Sequence, residues 1–111
     1  MTEIHKKGWG YENWLVNCPL YCGKILHFNK GKQCSLHYHK IKDETFYILK
    51  GKIALSIMEG SHLVQKTLKE GDTFHVMPRM IHSMKGLTDA DMIEISTQHF
   101  EDDSYRIIKG D

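Results

Sequence analysis

Along the 111-residue chain, short apolar-rich runs alternate with turn residues. Lys24–Asn29 ends at Lys30-Gly31, Gln33–Lys40 in the charged stretch Lys40–Asp43, and Glu44–Leu49 at Lys50-Gly51. Ile53–Met58 ends at Glu59-Gly60-Ser61, Leu63–Leu68 at Glu70-Gly71, Thr73–Met77 at Pro78, and His82–Lys85 at Gly86. Met92–Thr97 and Tyr105–Ile108 follow, and Trp14–Val16 adds an N-terminal strand. Short strands at roughly 8–12-residue spacing, punctuated by Gly or Pro, predict an all-β sandwich or barrel. Sustained helical periodicity is missing. Only Asp89–Met92 or the tail leaves room for a helical turn.

The alternation is not clean. In Glu44–Leu49 apolar residues occupy both parities, whereas a strand with one wet face alternates apolar with polar. The outer face therefore expects a cover, either the N-terminal segment or a second subunit, and a homodimer is the expectation.

Composition narrows the function. Fifteen Lys+Arg against 14 Asp+Glu give a net charge of +1, so no field of one sign draws in nucleic acid or an anionic membrane. No apolar run is long enough to span a bilayer, and the polar start does not read as a signal peptide, so a cytoplasmic location is expected. The length fits one domain, residues 1–111. Three Cys cannot form a complete disulfide framework, and reduced thiols are expected. Cys18 and Cys22 lack the second ligand pair of a structural zinc site and read as small packing residues.

Eight His in so short a chain is unusual, and three of them fall in a pattern. Residues two apart on a strand share a face, so His37 and His39 project together. The turn Lys40–Asp43 reverses the chain and Glu44 opens the next strand opposite them. His82, four residues past Pro78 and behind Gly71-Asp72-Thr73-Phe74, is the expected fourth ligand. Three imidazoles and one carboxylate suit one divalent ion: zinc, manganese, iron, nickel or cobalt. Open positions on such an ion are the mark of a catalytic rather than a structural site.

These residues resemble the cupin superfamily. Gly31-x5-His37-x-His39-x4-Glu44-x6-Gly51 is similar to its first motif and Gly71–His82 to its second, with Gly86 where an Asn is common. The resemblance implies a jelly-roll β-barrel holding one divalent ion on His37, His39, Glu44 and His82. Gly8-Trp9-Gly10-Tyr11-Glu12, Ile93–Ser96 and Glu101–Arg106 resemble the cupin domain of type II mannose-6-phosphate isomerases. That implies a sugar or sugar phosphate as substrate.

Other residues have plainer expectations. With Ile93 and Ile95 packed in the core, Glu94 and Ser96 share the other face. Glu94, its pKa raised by burial, then acts as the proton-transfer base of an isomerase or epimerase. Lys24 and Lys42 are expected to face solvent, Arg79 to sit by the site's mouth, and Arg106 to pair with Asp102 and Asp103. Phe46, Ile48, Phe74, Val76 and Met84 line the barrel, and Tyr38 points away from the ion. The rival functions are an iron- or nickel-dependent oxygenase and a non-catalytic carbohydrate-binding domain.

Overall fold

The computed structural model describes residues 2–111, and among them are eleven β-strands and no helix. They are β1 (Glu3–Lys7), β2 (Gly10–Asn17), β3 (Cys22–Phe28), β4 (Leu36–Tyr38), β5 (Glu44–Lys50) and β6 (Ile53–Glu59). Then come β7 (His62–Leu68), β8 (Thr73–Val76), β9 (His82–Gly86), β10 (Ala90–Ser96) and β11 (Tyr105–Ile108). All pairings are antiparallel. One sheet runs β1-β2-β3-β10-β5-β8 and the other β11-β4-β9-β6-β7. This two-sheet arrangement is the all-β sandwich or barrel that the pattern predicts, in the jelly-roll form that the cupin resemblance implies. No helix is long and apolar enough to cross a membrane.

Alternation decides what lies between the sheets. In β3, Cys22, Lys24, Leu26 and Phe28 are buried while Gly23, Ile25 and His27 are not. The register then builds rows across three strands. Cys22, Ser96 and Glu44 form one row, Lys24, Glu94 and Phe46 the next, and Leu26, Met92 and Ile48 a third. The interior is therefore polar at one end and apolar at the other. The apolar end holds Phe28, Ile53, Leu55, Ala90 and Met92, with Trp9 stacked on Phe28 at 4.3 Å. Burying each large side chain there stabilises the fold by about 1.5–3 kcal/mol. Phe46, Ile48, Val76 and Met84 are buried as expected, and Phe74 packs against the core partly exposed. Gly51 turns β5 into β6 at φ 80°, and a Cβ there would lie 2.3 Å from the Asp89 carbonyl oxygen.

Several expectations need correction. Asp89–Met92 holds no helical turn: Ala90 and Met92 are core residues of β10, and a bulge lies between Asp91 and Met92. Gln33–Lys40 is not one strand. Only Leu36–Tyr38 is, with Gln33 in an isolated bridge to Lys85. The break coincides with Ser35, whose carbonyl is taken by the His37 ring. The N-terminal strand is longer than Trp14–Val16, and polar β1 precedes it. Together they extend the six-stranded sheet past β3 and leave its outer face uncovered.

That outer face carries an apolar patch between polar rows. Ile93 and Ile95 face outward, contrary to expectation, because Met92, Glu94 and Ser96 take the inward parity. One row across the sheet reads Ile4, Asn13, Ile25, Ile93, Tyr47 and Thr73.

Candidate metal centre

His37 sits on β4, directly opposite His82 of β9. His39 follows β4, and Glu44 opens β5 from the facing sheet. Ligand atoms of His37, His39 and His82 lie within 4.8 Å of one another. Glu44 Oε2 is 3.6 Å from both His39 Nε2 and His82 Nε2. The structure thus brings together all four residues that the sequence singles out.

Each ring is oriented by a backbone carbonyl. The Nδ1–H of His37 donates to Ser35 O at 2.8 Å, that of His39 to Asp103 O at 2.6 Å, and that of His82 to Met80 O at 2.9 Å. A donor at Nδ1 leaves the lone pair on Nε2, the arrangement that outer-shell partners of metal-bound histidines impose. Burial, above all, lowers the three imidazoles to about 4, so at neutral pH they are neutral. His82 Nε2 and Glu44 Oε2 are buried without hydrogen-bond partners. Unpaired buried polar atoms are costly, and a cation between them would satisfy both. The donor set therefore fits a divalent ion.

Asp103 holds the loop between the ligands. Its carboxylate accepts from the backbone N–H groups of Lys40, Ile41 and Lys42 at 2.9–3.2 Å, while its carbonyl orients His39. It does not pair with Arg106. Arg79 likewise contributes its backbone: in a left-handed conformation (φ 69°), its N–H donates to the His39 carbonyl at 2.6 Å. Its side chain is exposed and does not line the site.

Beside the histidines lies a buried charge cluster. Lys42 Nζ donates to Glu94 Oε2 at 3.1 Å and stands 3.7 Å from Glu44 Oε1. Lys24 pairs with Glu12 at 3.3 Å and lies 4.2 Å from the Trp14 ring centroid. Both lysines are buried, contrary to expectation. Glu94 faces inward as expected, but its pKa moves the other way. Burial alone would raise it; the Lys42 and Lys24 charges overcome that and hold it at about 2. The group raised is Glu44, pushed up to about 8 by burial and by the charge of Glu94.

These groups line one cavity of about 720 Å³ between the sheets. His99, which sequence reasoning missed, also lines it, edge-on to Trp14 at 5.1 Å. It lies beyond β10 with no periodicity to flag it. Tyr38 points elsewhere, stacked on Tyr105. Cys18, Cys22 and Cys34 are free thiols and do not join the histidine cluster.

Residues 24–97 match the family model described as "Cupin domain", and the chain belongs to the cupin family. No curated protein matches the chain. Among solved structures, oxalate decarboxylase from Bacillus subtilis superimposes with a TM-score of 0.85 at 18% identity, covering 96% of this chain and 30% of that one. The capsular polysaccharide assembling protein CapF of Staphylococcus aureus gives 0.84 at 15%, covering 97% and 34%. The chain thus spans about a third of the length of these neighbours. Manganese(II) centres are described for the oxalate decarboxylase.

Proposed function

We propose that the chain is a metal-dependent isomerase or epimerase of a sugar or sugar phosphate. His37, His39, Glu44 and His82 are the residues that hold a divalent ion, which when bound supplies Lewis acidity toward substrate oxygens. The observation carrying the reading is the Lys42–Glu94 pair beside that donor set. Glu94 is ionised at neutral pH and can take a proton, although the lysine charges that hold it at about 2 make it a weak base. Lys42, 3.1 Å away, is raised by Glu94 and Glu44 against its burial, so it stays an ammonium and donates a hydrogen bond to a substrate oxygen. Isomerisation needs such a donor and acceptor at neighbouring substrate atoms. The resemblance of the chain's two ends to type II mannose-6-phosphate isomerases favours sugar phosphates.

Glu94→Gln tests the reading. It keeps the shape and removes the acceptor, so turnover in a sugar-phosphate screen should fall roughly 10²–10⁴-fold while metal content stays constant. Wild-type turnover in Glu94→Gln would remove Glu94 from the mechanism. Oxygen uptake by iron-loaded protein, with no aldose–ketose conversion, would replace the isomerase by an oxygenase.

The protein acts as a homodimer in this reading, joined through the outer face of the six-stranded sheet. Supporting this is the row of Ile4, Ile25, Ile93 and Tyr47, which the N-terminal strands leave open.

A further inference from the structure

The cavity's mouth is framed by the β1–β2 turn and by the segment from β11 to the last residue. Arg106 of β11 lies directly opposite His37 of β4 in the ladder, and both line the cavity. Directly opposed residues have Cβ atoms about 4.5–5.5 Å apart, so the guanidinium reaches the space in front of the histidine cluster. The carboxylates expected to neutralise it do not: Asp103 is spent on the Lys40–Lys42 backbone. Among the described residues, Arg106, Lys7 and Lys109 have no carboxylate oxygen within 4.0 Å. Deeper in, Lys24 and Lys42 are each matched to an acid. Inside, Glu12, Glu44 and Glu94 stand against Lys24 and Lys42; nearer the chain's two ends Glu101 and Asp111 also line the cavity, but neither pairs with Arg106, Lys7 or Lys109.

We propose that Arg106 forms an oxyanion subsite, so that the substrate carries a phosphate or carboxylate at the end remote from its reacting carbons. This rests on the reading of the histidine cluster as a metal site for sugar-like molecules and narrows it to anionic ones. A planar guanidinium takes either oxyanion through two parallel hydrogen bonds, which a neutral sugar lacks.

The test is binding, by calorimetry, of glucose, glucose 6-phosphate and glucuronate to the full chain, both manganese-loaded and chelator-treated. At least one anionic sugar should bind about tenfold or more tightly than glucose. Arg106→Ala should erase that advantage without changing manganese content, Arg106→Lys should keep part of it, and Lys69→Ala, remote from the cavity, should keep all of it. An advantage only for glucose 6-phosphate assigns the subsite to phosphate, and one only for glucuronate to carboxylate. Equal affinity for all three, no binding in either state, or an advantage that survives Arg106→Ala overturns the subsite. If the advantage depends on Arg106 but is the same with and without manganese, the subsite stands and the metal-centred reading falls.

Discussion

The six-stranded sheet turns Lys24, Glu44 and Glu94 toward the interior and Ile4, Ile25, Ile93 and Ile95 toward the outside. Each arrangement costs stability. A buried ion loses several kcal/mol of hydration that its partner must offset. Exposed apolar surface forgoes about 25 cal/mol per Å². The opposite end of the same sheet follows the ordinary rule, with Leu26, Phe28, Ile48 and Met92 inside. The difference separates two tasks. The apolar end holds the barrel together, and the polar end spends part of that stability on buried charges and on two atoms, Glu44 Oε2 and His82 Nε2, that have no hydrogen-bond partner.

The sharpest way to break the polar end is at its ligands. The double variant His37→Ala/His39→Ala removes two Nε2 donors on one side. Outer-shell losses alone cost 10–100-fold in metal affinity, so two direct ligands should cost more than about 10³-fold. The circular dichroism spectrum should stay β-like, because neither residue belongs to the apolar core. Equal metal content in wild type and variant, by elemental analysis, would end the site assignment.

Next in size is Lys42→Met. It leaves Glu94 buried without its nearest cation and brings no new partner to Glu44. Breaking a buried pair from one side costs about 3–5 kcal/mol, and urea unfolding of chelator-treated protein should show a loss of that order. Lys42→Met/Glu94→Leu should recover most of it. A loss under about 1 kcal/mol in the single variant would mean that the pair is solvated and that the two ends of the sheet do not differ as described.

Much of this was legible in the residues, and the misses have physical causes. His37, His39, Glu44 and His82 could be found because a strand's period of two and its turns bring fixed spacings to one place. Glu94 could be aimed inward by parity, although Ile93 and Ile95 lie outside and Met92 supplies the core contact. The direction of its pKa could not be read, since that depends on Lys42, a loop residue that no periodicity places. Lys24 was readable in hindsight, sharing parity with Cys22, Leu26 and Phe28. The roles of Asp103 and His99 depend on where the chain after β10 folds back, which alternation does not specify.

Protons sharpen the comparison further. In the metal-free chain, Glu44 is raised to about 8 while the three imidazoles lie near about 4. A metal-bound carboxylate is deprotonated, so binding below pH 8 releases the Glu44 proton and affinity rises with pH. The expected slope is about one proton, tenfold per pH unit, between roughly pH 6 and 7.5, flattening above 8. Unperturbed imidazoles, titrating near 6.5, would instead steepen the loss of metal from about pH 6.5 downward. Calorimetry in buffers of different ionisation enthalpy counts the protons. Two or more released at pH 6 would show that the histidines are not held neutral by burial, and none released would show that Glu44 is already ionised.

The smallest effect on the folded chain belongs to the outer face. Ile95 is 59% exposed, so Ile95→Ser removes little that the monomer buries and should change its unfolding free energy by no more than about 0.5 kcal/mol. Its effect on association should be larger. Burying a side chain of this size between two copies is worth about 1.5 kcal/mol or more, so its loss weakens a dimer by at least roughly tenfold. Sedimentation velocity over a concentration series separates the two quantities. A wild-type chain that stays monomeric at all concentrations, or a dimer whose dissociation constant is unchanged in both Ile95→Ser and Tyr47→Ser, would show that the apolar face is not a contact between copies. A variant that unfolds like the wild type yet dissociates at higher concentration would show that the isoleucines of β10 serve a partner chain, as its glutamate serves the cavity.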